Sequence, residues 1–492
     1  MDTLVTQPAP PAVPTRADFP DWLSPMLVKE LRQGVRTRIF VSQFILLQVA
    51  MLVTISLTLL VSATGDDATQ GSVFFWLVVG GSILVALPLS GLNAVGGEVR
   101  ANTLELIFLT RQTALRIVAG KWLAIFVQSL LFVCAVLPYL VLRYFVGGVN
   151  VTNELLTLGS MLVGSALLTA LSTGLSAYPA RLGRSLAFIG SFFLLFGLEG
   201  SSFFAGRAGV SVNPGAGLIL ASLACWAILL VLFLEAGAAR IAPPAENHSA
   251  VMRLLAAAGL LVATVSHYTL RTPEAITFLT LVIAALVCAG AVCEEPRWLP
   301  SLYRPFARRG FWGRLAGRLL YPGWHTGVWF TLCILGGFTF LLYREGMLTR
   351  VSSLVRLVAL LGTLLFPAAV VRAFFPKTKR ALILFFAVMV LGIFATGFCA
   401  FLDNNLHTST MDLCSFLPVA SLIYSLGDSS EHTAGRFLAV GATTILSLCV
   451  LLIASRRPLR QTRQIEIDSL APATVPPLPP SPTAPADHVP LA

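Results

Sequence analysis

The first long apolar run of the chain is FVSQFILLQVAMLVTISLTLLVS, residues 40–62, which contains no charged side chain. An α-helix rises about 1.5 Å per residue, so about 20 such residues cross the ~30 Å hydrocarbon core of a bilayer. Comparable runs recur along the 492-residue chain, which is 56% hydrophobic and 12% charged. Soluble proteins carry about 25% charged residues. The sequence therefore predicts an all-α, polytopic integral membrane protein.

These runs predict about twelve transmembrane helices. The predicted spans are residues 40–62, 73–95, 118–142, 156–178, 185–205, 217–239, 251–270, 275–293, 324–343, 354–375, 380–402 and 436–455. A further apolar segment, 413–426, is too short to span and contains Pro418. We expect it to form a re-entrant or interfacial helix on the outer face.

The loops between the predicted spans alternate in charge. Lys and Arg gather in one set of loops, around residues 29–38, 100–121, 181–184, 240–253, 297–318, 372–380 and 456–463. The alternate loops carry acidic residues with few Lys or Arg: Asp66, Asp67, Glu154, Glu274, Glu345, Asp403, Asp412, Asp428 and Glu431. Because short cytoplasmic loops are enriched in Lys and Arg, we expect a plasma or inner membrane protein with both termini in the cytoplasm. The net charge of +11 then reflects topology, and no nucleic-acid partner is expected.

The N-terminus and the cysteines add two expectations. No signal peptide precedes the first apolar run, so we expect that run to remain in the membrane as an anchor. The eight cysteines show no CxxC spacing and lie mostly in apolar runs. This pattern predicts small buried side chains, Cys399 among them, with no metal ligands and no disulfide framework.

The pattern divides the chain into five segments. They are a disordered segment 1–21, an interfacial amphipathic helix 22–38, a six-span unit 39–242, a second six-span unit 243–456, and a cytoplasmic Pro-rich tail 457–492. In the amphipathic helix, Pro25 suits the first helical position. Two other segments, about 104–115 and 306–320, also have amphipathic patterns, and residues 320–324 resemble an interfacial belt.

Motifs for catalysis and metal binding are missing from the sequence. There is no GxxxxGK[ST] phosphate loop, no GxSxG nucleophile motif and no HExxH metal motif. These motifs supply the phosphate cradle, the nucleophile and the metal ligands of common enzyme classes. We therefore expect no catalytic, cofactor or metal site on this chain, and no ATP hydrolysis by the chain alone.

The most distinctive loop is GGEVRANTLELIFLTR, residues 96–111, which joins predicted spans 2 and 3. It combines apolar side chains with charges of both signs, a mixture that suits an interface with a polar protein partner. Glu98 lies where span 2 ends and Lys121 where span 3 begins. The competing interpretation is a solvated loop that contacts lipid headgroups.

Three stretches in this region resemble a known family. SPMLVKELR (24–32) is similar to the NPxxxKExR opening of ABC-2 type transporter permeases. GEVRANTLELIFLT (97–110) is similar to the GE…xGTLExLLxTP loop of that family, and IVAGKWLA (117–124) to its IxxGKxLA. Asn102 stands where the family usually has Gly, and Arg111 where it usually has Pro. The resemblance covers about residues 22–240.

The resemblance implies an ABC-2-type permease architecture for the first six spans and the function of a permease subunit, with export as its direction. It also implies that the loop between spans 2 and 3 contacts a separate ATPase subunit, which hydrolyses the ATP. The permease itself would be part of a homodimer or heterodimer in the lipid bilayer. The residues that would form the ATPase interface are Glu98, Arg100, Thr103, Leu104, Glu105, Leu106, Phe108, Arg111 and Lys121.

Other interpretations remain open at the level of sequence. Glu199 lies in predicted span 5 and is a candidate for the translocation pathway, since ionisable groups within a bilayer are costly. It would otherwise reach the interface or pair with Arg207. The second half matches the first in its number of spans but has no GTLEL-type loop, so an internal repeat stays open. A secondary transporter and a non-transporting scaffold or assembly subunit are the alternative functions.

Overall fold

The computed structural model describes residues 25–64, 69–100, 112–147, 150–178, 216–270, 274–344, 351–376, 378, 380–406, 416–426 and 433–470. Every secondary-structure element in these ranges is helical. The chain forms two compact units. The first unit contains Met1–Pro243 and Val265–Thr277, and the second contains Pro244–Thr264 and Phe278–Ala492.

Eleven helices within the described residues are long and apolar enough to cross a membrane. They are Arg38–Leu60, Phe74–Glu98, Ala114–Phe145, Val151–Ser176, Ala216–Ile241, His248–Thr269, Ile276–Cys293, Trp324–Arg344, Arg356–Phe374, Ala381–Cys399 and Leu438–Asp468. Each one overlaps a span predicted from the sequence. The remaining predicted span, 185–205, lies outside the described residues. The chain is therefore a multi-span, all-α membrane protein.

The first unit is built from eight described α-helices and one π-helical segment. The helices are α1 (Pro25–Arg36), α2 (Arg38–Thr64), α3 (Thr69–Gly80), α4 (Leu87–Gly91), α5 (Gly96–Arg100), α6 (Ala114–Gly147), α7 (Val151–Ser176) and α8 (Ala216–Ile241). The π-helix Gly81–Ala86 joins α3 to α4. Predicted span 2 is thus a helix interrupted twice, by this π-helix and by the turn that precedes α5.

Aromatic side chains form the core of the first unit. Phe75 and Trp76 of α3 are buried together with Met51 of α2 and Phe132 of α6. The outward faces of the same helices are apolar as well, and Leu46 of α2 is 68% exposed. Because the hydrocarbon of a bilayer does not penalise apolar side chains, a spanning helix keeps apolar residues on both its buried and its exposed faces.

Helices α7 and α8 approach each other more closely than side chains would allow. A Cβ atom added to Gly174 would lie 2.4 Å from the carbonyl oxygen of Phe233. A Cβ atom added to Gly237 would lie 2.6 Å from the Cα of Gly174. The two backbones are therefore in direct contact, as is common where small residues line helix interfaces in membranes.

An ion pair joins α6 to α7 at the end of these helices that is opposite to the end that α1 contacts. Nη1 of Arg143 lies 2.7 Å from Oε2 of Glu154, and both side chains are largely buried. The guanidinium of Arg143 also lies 4.3 Å from the ring centroid of Phe75. Glu154 is in the first turn of α7, which begins after the capping residue Asn150. This pairing neutralises the charge of Arg143. We call this end of α6 and α7 the Arg143 end.

The described part of the second unit contains six long helices and three short ones. They are α9 (His248–Thr269), α10 (Glu274–Cys293), α11 (Pro300–Ala307), α12 (Gly310–Leu320), α13 (Trp324–Arg344), α14 (Val351–Phe374), α15 (Ala381–Leu406), α16 (Pro418–Leu426) and α17 (Thr433–Asp468). The end of α9 and the start of α10, within Val265–Thr277, belong to the first unit. Helices α14 and α17 pack against each other along their lengths.

The short helix α16 matches the apolar segment that was predicted to be too short to span. A Cβ atom added to Gly362, near the middle of α14, would lie 2.9 Å from Cβ of Pro418. One added to Gly392, near the middle of α15, would lie 3.7 Å from a methyl group of Val419. The start of α16 therefore lies beside the midpoints of two spanning helices. This depth favours a re-entrant helix over an interfacial one.

Two further features of the second unit were not expected. Cys399 of α15 is disulfide-bonded, so the prediction of a simple buried side chain was wrong at this position; the other described cysteines are free thiols. Helix α17 has 36 residues and is about 54 Å long, well beyond the ~30 Å of the hydrocarbon core. Ile465, near its end, packs on Tyr303 and Tyr321.

Candidate coupling site

Three charged side chains from three separate helices meet at one end of the first unit. Nζ of Lys121, on α6, lies 3.1 Å from Oε1 of Glu30, on α1. The same nitrogen lies 2.9 Å from Oε1 of Glu98, on α5. The Lys121 side chain is only 6% exposed, whereas the two carboxylates are about one-fifth exposed. We call these three residues the Glu30–Lys121–Glu98 triad.

Helix α1 brings Glu30 to the triad because it packs closely on α6. Leu27 is buried on its inner face, while Lys29 and Arg32 are exposed. A Cβ atom added to Gly34 would lie 2.4 Å from Nε2 of Gln128 on α6. The glycine therefore allows the approach of the two helices, and the amphipathic pattern of α1 determines which face is turned toward α6.

A turn between α4 and α5 positions Glu98. The backbone N–H of Val95, in this turn, donates a hydrogen bond to Oγ of Ser176 on α7, at 3.1 Å. The N–H of Glu98 then donates to the carbonyl oxygen of Val95, also at 3.1 Å. Ser176 is almost fully buried. A side chain of α7 thus satisfies the interrupted backbone of the second span, as buried backbone donors require.

A cleft lies beside the triad. Its volume is about 240 Å³, and its polar lining comes from Glu30, Gln33, Thr37, Lys121 and Gln128. Apolar groups, among them Ala94, Ala124 and Ile125, form the rest of the lining. The cleft therefore combines an ion pair with an apolar wall.

The electrostatics of the triad favour a fixed arrangement. A buried ammonium group is costly unless it is paired, and Lys121 has a carboxylate from each of two neighbouring elements. Both contacts are charge-assisted hydrogen bonds, which are stronger than neutral ones. The triad carries one net negative charge. It therefore holds α1, α5 and α6 together at the point where the chain leaves the second span and enters the third.

The structure describes only part of the predicted interface. It brings Glu98 and Lys121 into direct contact, and α5 ends at Arg100. The other predicted interface residues and the pathway candidate lie outside the described residues: Thr103, Leu104, Glu105, Leu106, Phe108, Arg111 and Glu199. Glu30 and Ser176 were not predicted. Glu30 stands in the SPMLVKELR stretch, which was a usable signal, whereas Ser176 has no signal in the sequence.

A second buried ionic cluster lies in the second unit. Nη2 of Arg253, on α9, lies 3.0 Å from Oε2 of Glu294, which follows α10. The same guanidinium donates hydrogen bonds to the carbonyl oxygens of Leu319 and Gly323 and to Oγ1 of Thr326. Ser249 hydrogen-bonds the other carboxylate oxygen of Glu294. Both Arg253 and Glu294 are hydrogen-bonded to other protein groups, so the cluster is a structural connection rather than an open site.

Residues 320–324 were expected to form an interfacial belt. They lie beside this cluster instead, and residues 321–324 are buried. Glu294 accepts a hydrogen bond from the N–H of Gly323 through its carboxylate and from the N–H of Trp324 through its carbonyl oxygen. Tyr321 is fully buried against Tyr303. Burial, with Glu466 as a second cause, raises the pKa of Tyr303 to about 12 and also raises the pKa of Tyr321. Both phenols are therefore neutral at physiological pH.

Within the residues that the structure describes, no group of three or more His, Cys, Asp or Glu side chains is arranged to hold a metal ion. Comparison with protein-family models, with curated proteins and with solved structures finds no match to this chain. The observations therefore establish a multi-span, all-α membrane protein, with the Glu30–Lys121–Glu98 triad at the base of a charged loop.

Proposed function

We propose that this chain is the membrane-spanning permease subunit of an ATP-driven transporter of the ABC-2 type, and that it acts as an exporter. The observation that carries the proposal is the triad. Glu30, Glu98 and Lys121 come from the three stretches that resemble ABC-2 permeases, and they meet through contacts of 2.9 and 3.1 Å. Residues from three separate motifs thus converge on the base of one loop.

The triad supports a route for mechanical coupling. A partner that binds residues 101–111 would pull on α5 and α6, which flank that loop. Because the Lys121 ammonium contacts carboxylates of α1 and α5, movement of one element changes the position of the other two. A partner shifts a conformation only through contacts that differ between the two states. The loop would supply those contacts, and the triad would distribute their effect.

The proposal includes an orientation and a set of partners. The α1 end faces the cytoplasm with both termini, and the Arg143 end faces the opposite side of the plasma or inner membrane. A separate ATPase subunit binds the loop and hydrolyses ATP, so that this chain needs no cofactor of its own. The permease functions as a homodimer or heterodimer in the bilayer.

Site-directed crosslinking tests the predicted contact. Gly97 is exposed, and no other residue that the structure describes has an atom close to the direction of its Cβ, so Gly97→Cys introduces a thiol beside Glu98 without a clash with those residues. We expect a bifunctional or photoactivated reagent on this thiol to capture a soluble subunit that hydrolyses ATP. Asn153→Cys, exposed at the Arg143 end, is the matched control and should capture none. Equal capture from both positions would contradict the proposal.

Charge reversal separates the proposed function from its alternatives. The variant Glu105→Arg/Arg111→Glu should reduce co-purification of the ATPase and lower transport, while membrane insertion stays intact. A secondary transporter would transport without any ATPase, and a scaffold would bind partners without transport. ATP hydrolysis by the purified chain alone would also exclude the proposal.

Glu199 is the proposed pathway residue. The variant Glu199→Gln removes the charge but keeps the size of the side chain. We expect normal membrane levels and normal ATPase binding, with reduced transport. Unchanged transport, together with protection of Cys introduced at position 199 from aqueous reagents, would remove Glu199 from the pathway without affecting the coupling proposal.

A further inference from the structure

Helix α12 presents an apolar surface that lies outside the candidate spans. Phe311 and Trp312 are 73% and 75% exposed, and Leu315 is 46% exposed. Glycine lies on the opposite face of the helix. A Cβ atom added to Gly313 would lie 2.3 Å from the carbonyl oxygen of Phe306 on α11. The helix is therefore fixed to the protein by its glycine face, which leaves the aromatic side chains turned outward.

Arginines flank this apolar face. Arg314 and Arg318 are four residues apart and so lie on one side of α12. Arg308 and Arg309, immediately before the helix, are exposed as well. We call Arg308, Arg309, Phe311, Trp312, Arg314, Leu315 and Arg318 together the α12 surface. The segment 300–320 contains no Asp or Glu.

The end of α17 extends the positive charge. Four exposed arginines, Arg456, Arg457, Arg460 and Arg463, lie on this helix beyond the predicted span. The end of α17 is close to α12, because Nη2 of Arg318 lies 3.8 Å from Oε2 of Glu466. Glu466 is only 3% exposed, so its carboxylate contributes little to the outer surface. The solvent-accessible charge beside α12 is thus strongly positive.

We propose that the α12 surface binds anionic phospholipids of the leaflet at this end of the second unit. An exposed apolar face beside a row of arginines is the arrangement of helices that lie in the membrane interface, with aromatic side chains among the acyl chains and cations at the phosphates. Arginine is well suited to this role because its guanidinium can donate two parallel hydrogen bonds to two oxygens of one phosphate. The site selects negatively charged over zwitterionic headgroups.

A second copy of this chain is the other occupant that an aromatic face would suit. The charge favours the lipid: two copies meeting at this surface would bring their arginines together, whereas an anionic leaflet neutralises them. The α12 surface does not depend on an ATPase partner, so its occupancy can be measured on the chain alone.

Native mass spectrometry of the full-length chain tests this inference. After delipidation, we expect phosphatidylglycerol to bind more tightly than phosphatidylcholine of the same acyl composition. Arg308→Gln/Arg314→Gln should weaken phosphatidylglycerol binding about fivefold for each arginine removed, with little change for phosphatidylcholine. This variant keeps Arg318 and its contact with Glu466. Arg344→Gln/Arg356→Gln removes two exposed charges elsewhere in the second unit and should bind lipid normally.

Three results would overturn the inference. The first is equal affinity for the two lipids, or an equal loss in the control variant. The second is displacement of phosphatidylglycerol by inorganic phosphate at the same phosphate concentration, which would indicate a simple anion site. The third is a dimer in the same spectra that Phe311→Ser/Trp312→Ser dissociates without altering lipid binding, which would assign the aromatic face to a second copy. Thermal unfolding of each variant verifies that it folds.

Discussion

Arg253 and Glu294, forty-one residues apart in the chain, form a buried ion pair with an Nη2–Oε2 distance of 3.0 Å. The arginine side chain is 1% exposed. The pair connects α9 to the segment after α10, and through the hydrogen bonds of both partners it connects these to residues 319–326. The second unit therefore has an ionic connection that also satisfies buried backbone groups of residues 319–324.

Removal of one member of this pair should be costly. Arg253→Met leaves the Glu294 carboxylate without its cation, and breaking a buried pair in this way costs about 3–5 kcal/mol. We expect a large fall in the thermal unfolding midpoint in detergent, partly recovered in Arg253→Met/Glu294→Gln. Glu295→Gln, which changes the exposed neighbour, should leave the midpoint unchanged. A double variant no more stable than the single one would contradict this account.

The Glu30–Lys121–Glu98 triad should contribute less, because the Lys121 ammonium contacts two carboxylates, whereas the Arg253 guanidinium makes four hydrogen bonds to protein groups. Lys121→Met is expected to destabilise the chain by about 1.5–3 kcal/mol, the usual range for hydrogen bonds to charged groups. A double-mutant cycle with Glu98→Gln, followed by thermal unfolding, measures the pairwise interaction. Arg116→Met, on an exposed position of the same helix, serves as the control. Additive effects of the two triad substitutions would show that the pair does not interact.

The contact between α7 and α8 makes a third prediction. Gly174→Ala places a methyl group against the backbone of α8, where no side chain can move away, so we expect a loss of about 1–3 kcal/mol or more from overpacking. Gly159→Ala, on the same helix but with open space around it, should be neutral or slightly stabilising, since alanine favours helices. Equal behaviour of the two variants in thermal unfolding would exclude direct backbone contact.

The disulfide at Cys399 can be verified by differential alkylation. In protein denatured without reductant, the peptide that contains Cys399 should remain unmodified, while Cys449, a free thiol, should be alkylated. Addition of reductant should expose Cys399 to the reagent. Because disulfides persist in oxidising compartments, this result would also place that end of α15 on the side away from the cytoplasm. Alkylation of Cys399 before reduction would exclude the bond.

The spanning helices could be predicted because membrane insertion depends on local composition. The composition of a run such as residues 40–62 predicts a spanning helix without reference to the rest of the chain. The turn before residue 96 was not predicted, since residues 92–95 fall inside the predicted span 73–95. The short helix α16 was recognisable, since Pro418 and its length argued against a full span.

Contacts between distant residues were not predictable in this way. Glu98 and Lys121 were expected at the two ends of a loop, but their pairing with each other and with Glu30 depends on how α1 packs on α6. Tyr321 and Trp324 have the composition of an interfacial belt, yet both are buried. Tyr321 packs on Tyr303, and the N–H of Trp324 donates a hydrogen bond to the carbonyl oxygen of Glu294. Cys399 has no nearby CxxC partner, so its disulfide had no local signal.

Helix α17 is long enough to serve as a lever arm. Its last 13 residues, from Arg456 to Asp468, extend about 20 Å past the predicted span, so a tilt of about 10° would move the tip by ~3–4 Å. The tip does not move alone, because Ile465 packs on Tyr303 and Tyr321. A change of angle among the spanning helices of the second unit would therefore be converted into displacement of α11 and α12 at the membrane surface.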